Sequence, residues 1–415
     1  MTRTKYIYAG AVVALALSGC THALRGPQLG TFEGEGDVGE VRMAGETTFD
    51  ASASTYRVSG GGANMWAGAD AFHFVWKRAA GDISLTADVS WVGQGGNPHR
   101  KAGVMIRQSL ATDSPYADLV VHGNGLVSLQ YRDAPGGETH EIQANVSAPH
   151  GIRLERDGDY VTMSFSGPDG VLHSGGGNFR LKLAGPYYAG LVVCAHDNAA
   201  SETAVFGNVE IAPIMAAPAG ATPILESTLE TIDLNLGNRK VIYHTTDHIE
   251  APNWSRDGGY FVFNNDGGLY RLAVGGGTPV RLDTGPLHHM NNDHGMSPDG
   301  TLIAVSDQTH PDNQSRVNVL PIGGGAPREV TELGPSYWHG WSPNGKTLAI
   351  VARRNGDFDI YTVPVGGGAE RRLTSAIGLD DGPDYSSDGK WIYFNSVRSG
   401  NMKIWRMHPD GSGQE

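Results

Sequence analysis

The chain has 415 residues and carries 31 Lys+Arg against 44 Asp+Glu, a formal net charge of −13. That balance excludes a nucleic-acid partner, since binding a phosphate backbone requires a basic surface. Fifty-nine Gly and 22 Pro without a collagen period point to many short strands joined by tight turns, and no helical pattern follows residue 30.

Arg3 and Lys5 precede the apolar run Tyr6 to Leu17, which is too short to cross a bilayer as a helix. The next residues, Leu17-Ser18-Gly19-Cys20, resemble the bacterial lipobox. The resemblance implies that residues 1–20 hold a lipoprotein signal, that the chain is cut before Cys20, and that Cys20 is acylated. Thr21 stands where an inner-membrane retention signal places Asp, which implies the outer membrane of a Gram-negative host, with contact to the membrane through the lipid anchor alone. The other cysteine, Cys194, sits in the apolar run Tyr188 to Ala195 and reads as a buried, inert thiol.

Residues 29–211 alternate as half-buried strands. Ile83, Leu85, Ala87, Val89 and Trp91 share one face, as do Val161, Met163 and Phe165, with Asp157-Gly158 and Asp169-Gly170 as turns. The segments Gly81-Asp82-Ile83, Lys101-Ala-Gly-Val-Met-Ile-Arg107, Gln130-Tyr-Arg132 and Gly190-Leu191 resemble a concanavalin-like lectin/glucanase sandwich. That resemblance implies an antiparallel jelly-roll and, in many members, a sugar-binding face. Trp66, Trp76 and Trp91 are candidates for such a face, although an inward Trp91 suits the core better. Arg107 and Arg132 suit pairing with carboxylates equally well.

Residues 212–225 form a Pro/Ala-rich, semi-extended linker. Residues 226–415 then repeat. The anchors Trp254-Ser-Arg-Asp-Gly258, Met296-Ser-Pro-Asp-Gly300, Trp341-Ser-Pro-Asn-Gly345 and Tyr385-Ser-Ser-Asp-Gly389 place their Ser residues 42, 45 and 44 positions apart, the length of one propeller blade. Each anchor precedes a strand, such as Leu302 to Val305, then a third strand, a Gly-rich turn and an outer strand. The pattern resembles the TolB-type β-propeller repeat. Leu229 to Leu234 and Val241-Ile242 read as the end of a further blade, about four and a half in all, so the expected ring is truncated or open. The expected fold class is all-β: a concanavalin-like antiparallel sandwich followed by a TolB-like propeller, incomplete at its C-terminal end.

The segments before the anchors should line the mouth of the central channel, and they are polar. They hold His244, His248 and Glu250, then Asn292, Asp293 and His294, then Tyr337 and His339, then Asp380, Asp381 and Asp384. His294 and His339 each lie three residues before an anchor Ser, which predicts imidazoles facing one channel from adjacent blades. Two readings follow. In one, these groups bind between blades and to a protein or peptide of the envelope, as the TolB resemblance implies, while the sandwich meets polysaccharide or peptidoglycan. In the other, His294, His339 and Asp381 hold a divalent metal ion, and the chain is a metal-dependent polysaccharide lyase or glycoside hydrolase. Oligogalacturonate lyases are propellers of related repeat type, but their ligand motif has no counterpart here residue by residue.

Overall fold

The structure is a computed structural model that describes residues 29–215, 220, 222 and 224–415. Cys20 and the signal segment lie outside the described residues. Every regular element among those residues is a strand.

Strand alternation sorts the first half into two sheets. One has ten strands in the order Gly34–Val38, Ala69–Ala79, Tyr187–Cys194, Lys101–Arg107, Tyr116–His122, Leu126–Arg132, His140–Ser147, Arg239–Thr245 and Ser227–Ile232, with Asn64–Trp66 beside Ala69–Ala79. The other has seven, with Ile83–Trp91 at its centre. Leu85 and Ala87 of the second sheet share one buried core with Ala102, Val104 and Ile106 of the first, and each buried Leu, Val or Ile contributes about 1.5–3 kcal/mol. Period-2 geometry sends the intervening residues Lys101, Met105 and Arg107 to the opposite face.

That opposite face is unusually polar and still buried. Asp70 takes Arg132 through both carboxylate oxygens, at 2.8 and 3.0 Å, and Arg107 at 3.4 Å, with all three side chains out of solvent. The arginines of the Lys101–Arg107 and Leu126–Arg132 strands are thus structural. Arg132 also donates to the carbonyl of Ala67 at 2.9 Å, holding a non-glycine residue at φ 53 beside Trp66. The three candidate tryptophans do not form one face. Trp91 packs at the edge of the core under Arg100, Trp76 packs on Phe74 and Tyr188, and Trp66 alone lines a polar cavity. Cys194 is buried, and burial raises its thiol pKa to about 11, so it is inert.

The segment expected to end a blade is instead a hairpin of Ser227–Ile232 and Arg239–Thr245 on the edge of the ten-stranded sheet. It joins by a short parallel pairing, Ile142 with Arg239 and Gln143 with Lys240. Neighbouring residues then serve different cores. Val241 enters the sandwich core, while Ile242 and Leu229 pack on Phe261, Phe263 and Leu272 of the first propeller blade.

Three four-stranded blades and one three-stranded blade follow, beginning at Ile249, Met290, Ser336 and Asp380. In the last, Arg406 and Glu415 exchange both backbone hydrogen bonds, at 2.8 and 3.0 Å, in the outer-strand position. The anchor motif explains the blade register. Ser297 Oγ donates to Asp299 at 2.5 Å and accepts the Leu302 N–H at 3.0 Å, while its backbone N–H donates to the Leu302 carbonyl. Ser255, Ser342 and Ser386 repeat the arrangement. Each motif ends on a glycine at positive φ, for example Gly300 at 71°. Apolar side chains fill the gaps between blades, such as Val317 and Val319 against Trp338 and Trp341.

Replacing Ser297 by Ala leaves the half-buried Leu302 N–H without its acceptor. We expect a loss of about 0.5–1.5 kcal/mol, read as a lowered urea midpoint of the propeller transition, whereas Ser387→Ala, at an exposed position beside the fourth-blade anchor, stays within error.

Candidate functional site

The inner strands of successive blades pack side by side, and every one of them carries a bulge. The register shifts between Glu250 and Asn253, between Met290 and His294, between Trp338 and Gly340, and between Asp381 and Asp384. A bulge leaves residues out of the ladder and re-aims their side chains. Here it brings groups of three blades together at the axis. His339 of the third blade lies with Nε2 3.4 Å from Asp381 of the fourth and Nδ1 4.0 Å from Asp293 of the second. The contact with His339 lowers the pKa of Asp381, while burial raises that of Asp293, whose other oxygen accepts from Asn291 at 2.7 Å. Glu250 acts on Asp293 from the same neighbourhood, and Asp293 in turn adds to the burial that raises the pKa of Tyr337.

His294 does not join this cluster. Equal distance from the anchor Ser is not equal ladder position: His294 sits in the ladder opposite Val305, whereas His339 falls in the bulge between Trp338 and Gly340. The ladder counterpart of His294 in the third blade is therefore Trp338, opposite Ile350. The His294 ring is buried at 3% exposure, and neither nitrogen meets a partner in hydrogen-bond geometry. Burial lowers its pKa to about 4 against the weaker opposing effect of nearby backbone groups. His294, His339 and Asp381 are thus not assembled as a ligand set, and among the described residues no group of three or more His, Cys, Asp or Glu side chains is arranged to hold a metal.

The remaining candidates divide. Asp384 lines the cavity described below, and Asn292 lies exposed in the second-blade bulge. Asp380 is buried and bound to Arg398 at 2.7 Å, a structural pair. His248 is exposed and meets Glu250 at 3.2 Å. His244 belongs to the edge hairpin, where it meets Glu226 at 3.3 Å, away from the axis.

Beside the cluster opens a cavity of about 670 Å³ across the inner strands, lined by His294, Trp338, His339, Trp341, Asp384 and Tyr385 among others. Its walls are pinned. Trp341 Nε1 donates to the Gly295 carbonyl at 2.9 Å, and Asn253 donates to the His294 carbonyl at 3.1 Å. A Cβ on Gly295 would stand 2.0 Å from the Trp338 ring, so this glycine is required by close packing. Sequence reasoning missed Trp338 and Trp341 as cavity walls, although Trp341 heads its anchor motif.

The His294 pKa sets a pH window. The unfolded chain takes up a proton near 6.5 and the folded one only near 4, so stability falls as pH drops through that interval, by roughly 3 kcal/mol at most. In His294→Leu the propeller transition should depend less steeply on pH between 6.5 and 4, as read by urea midpoints at stepped pH. An unchanged slope would place the titrating group elsewhere.

Residues 312–415 match the family described as the TolB beta propeller domain. The chain is 47% identical over 192 residues to an uncharacterized protein of Agrobacterium fabrum, covering 46% of this chain and 65% of that protein. It is 31% identical over 156 residues to a protein TolB homolog of Chlorobium luteolum, covering 37% of this chain and 34% of that one. A solved structure described as a TolB of Agrobacterium tumefaciens is 46% identical, covers 47% of this chain and 70% of its own, and has a TM-score of 0.45. The chain thus spans less than two thirds of the curated relatives it matches.

Proposed function

We propose, from a C-terminal region that carries the TolB beta propeller domain, that this chain is an exported envelope protein that binds rather than transforms its partner. The propeller mouth takes a segment of an envelope protein or peptide. The N-terminal sandwich, of the concanavalin-like jelly-roll kind, contacts carbohydrate, and acylation at Cys20 anchors the chain to the outer membrane. The observation that carries the reading is the axial cavity beside the His339–carboxylate cluster. Asp384 lines the cavity together with Arg256, His294 and His339, and the two nitrogens of His339 face Asp381 and Asp293 at its edge. An aromatic-walled pocket that carries both Asp384 and Arg256, beside the Asp293–His339–Asp381 cluster, suits a polar peptide segment with charges of both signs, as charge complementarity predicts.

Two measurements test it. A photo-crosslinking residue at position 384 of the full chain should capture a discrete envelope protein in living cells, and the adduct should fall at least tenfold when Asp381→Arg is added. Release of reducing ends from a polysaccharide, abolished by the same Asp381→Arg change, would replace binding with catalysis. For the anchor, metabolic labelling with a palmitate analogue should mark the wild type and spare Cys20→Ser; equal labelling of both would sink acylation at this residue.

A further inference from the structure

The polar face of the ten-stranded sheet holds a second cavity, of about 310 Å³, far in sequence from the propeller mouth. Ladder register builds it. Lys101 stands opposite His122, and Met105, Asp118, Gln130 and Glu141 form the next-but-one row across four strands. Gln143, paired with Ser128, lies between those rows. Trp66, Asn64, His99 and His196 close the sides.

The side chains here are fixed by one another in a way that leaves specific hydrogen-bonding positions open. Lys101 Nζ is buried and donates to Asn64 Oδ1 at 2.9 Å, to the Met65 carbonyl at 3.0 Å and to Gln130 Oε1 at 3.1 Å. Its three donors are used, so it orients neighbours rather than offering a charge. Gln130 therefore presents its amide N–H groups, which reach Ser128 Oγ at 3.2 Å and Glu141 at 3.4 Å. Ser128 in turn meets His122 Nε2 at 3.2 Å. With that hydroxyl accepting from Gln130 and donating to His122, the imidazole proton falls on Nδ1. His122 is 4% exposed, and its Nδ1 has no partner among the described residues. The Nδ1 of His196 is likewise buried and unpartnered, on a residue held at φ 54. Strain of that kind persists where surroundings over-determine it, commonly at ligand sites. Burial, and then the charge of Lys101, lower the pKa of both rings, His122 to about 3, so both are neutral at pH 7. Glu141 is braced by Gln143 at 2.8 Å and keeps acceptor capacity towards the cavity.

We propose that this cavity binds a neutral sugar residue, with Trp66 as the apolar platform and His122, His196, Glu141 and Gln143 as hydroxyl partners. Hydroxyl groups both donate and accept, which satisfies a neutral imidazole and a carboxylate together. A uronate would meet Glu141 with like charge and find the ammonium of Lys101 already spent. The inference rests on the reading of the sandwich as the carbohydrate-contacting part, and it adds the site and the sugar class.

The test is calorimetric titration of the full chain with gluco-, manno- and galacto-configured neutral oligosaccharides and with oligogalacturonate of equal length. One neutral series should bind, at least tenfold more tightly than oligogalacturonate. Trp66→Ala and the half-buried Gln143→Ala should each weaken it at least tenfold at unchanged melting temperature, and Asp381→Asn in the propeller should leave it unaltered. Neutral binding that survives both sandwich changes overturns the site while leaving the carbohydrate reading intact. Tighter binding of oligogalacturonate overturns the sugar class. Absence of binding to every oligosaccharide overturns the site and the carbohydrate reading together, and leaves the peptide reading of the propeller untouched.

Discussion

One hydroxyl per blade sets the register of the propeller. At each anchor the serine closes a turn onto the residue five places on, through its side chain and its backbone at once. The second strand must therefore start at a fixed place relative to the first. Because the turn uses local groups only, it repeats wherever its residues do, and the blades share a common geometry that does not depend on contacts between them.

The inner strands then depart from that regularity in a controlled way. Each must pair with its own blade and still converge on the axis, and a bulge relieves the conflict by taking residues out of the ladder. The bulged residues differ from blade to blade. In the third blade the displaced side chain is His339, which reaches carboxylates on both sides; in the second, His294 stays in the ladder and is buried. The His339–carboxylate cluster beside the cavity is thus a product of where each strand yields.

The sandwich solves the opposite problem, how to bury polar groups on the outer face of a sheet. Asp70 pairs with two arginines, and the backbone carbonyl of Ala67 takes a further donor. Breaking such a pair leaves an uncompensated buried charge, which is why the network fixes the Trp66 turn so firmly. The edge hairpin ties this domain to the first blade, with Val241 and Ile242 pointing into different cores. Strand alternation alone makes one short segment serve both.

Much of this was legible in the residues. The Ser–x–Asp/Asn–Gly anchors at blade spacing identified the propeller, since turn chemistry is local and survives any tertiary context. The alternation in Ile83–Trp91 picked out its core face, because a strand has only two faces. Tertiary structure alone decided the rest. It set the bulge that divides His339 from His294, the pairing that moved His244 and its hairpin to the sandwich edge, and the convergence of Trp66, His122, Glu141 and His196 from separate strands and loops. Each of these depends on register between segments distant in the chain, and a single sequence records periodicity along a strand but not which partner residue it will face.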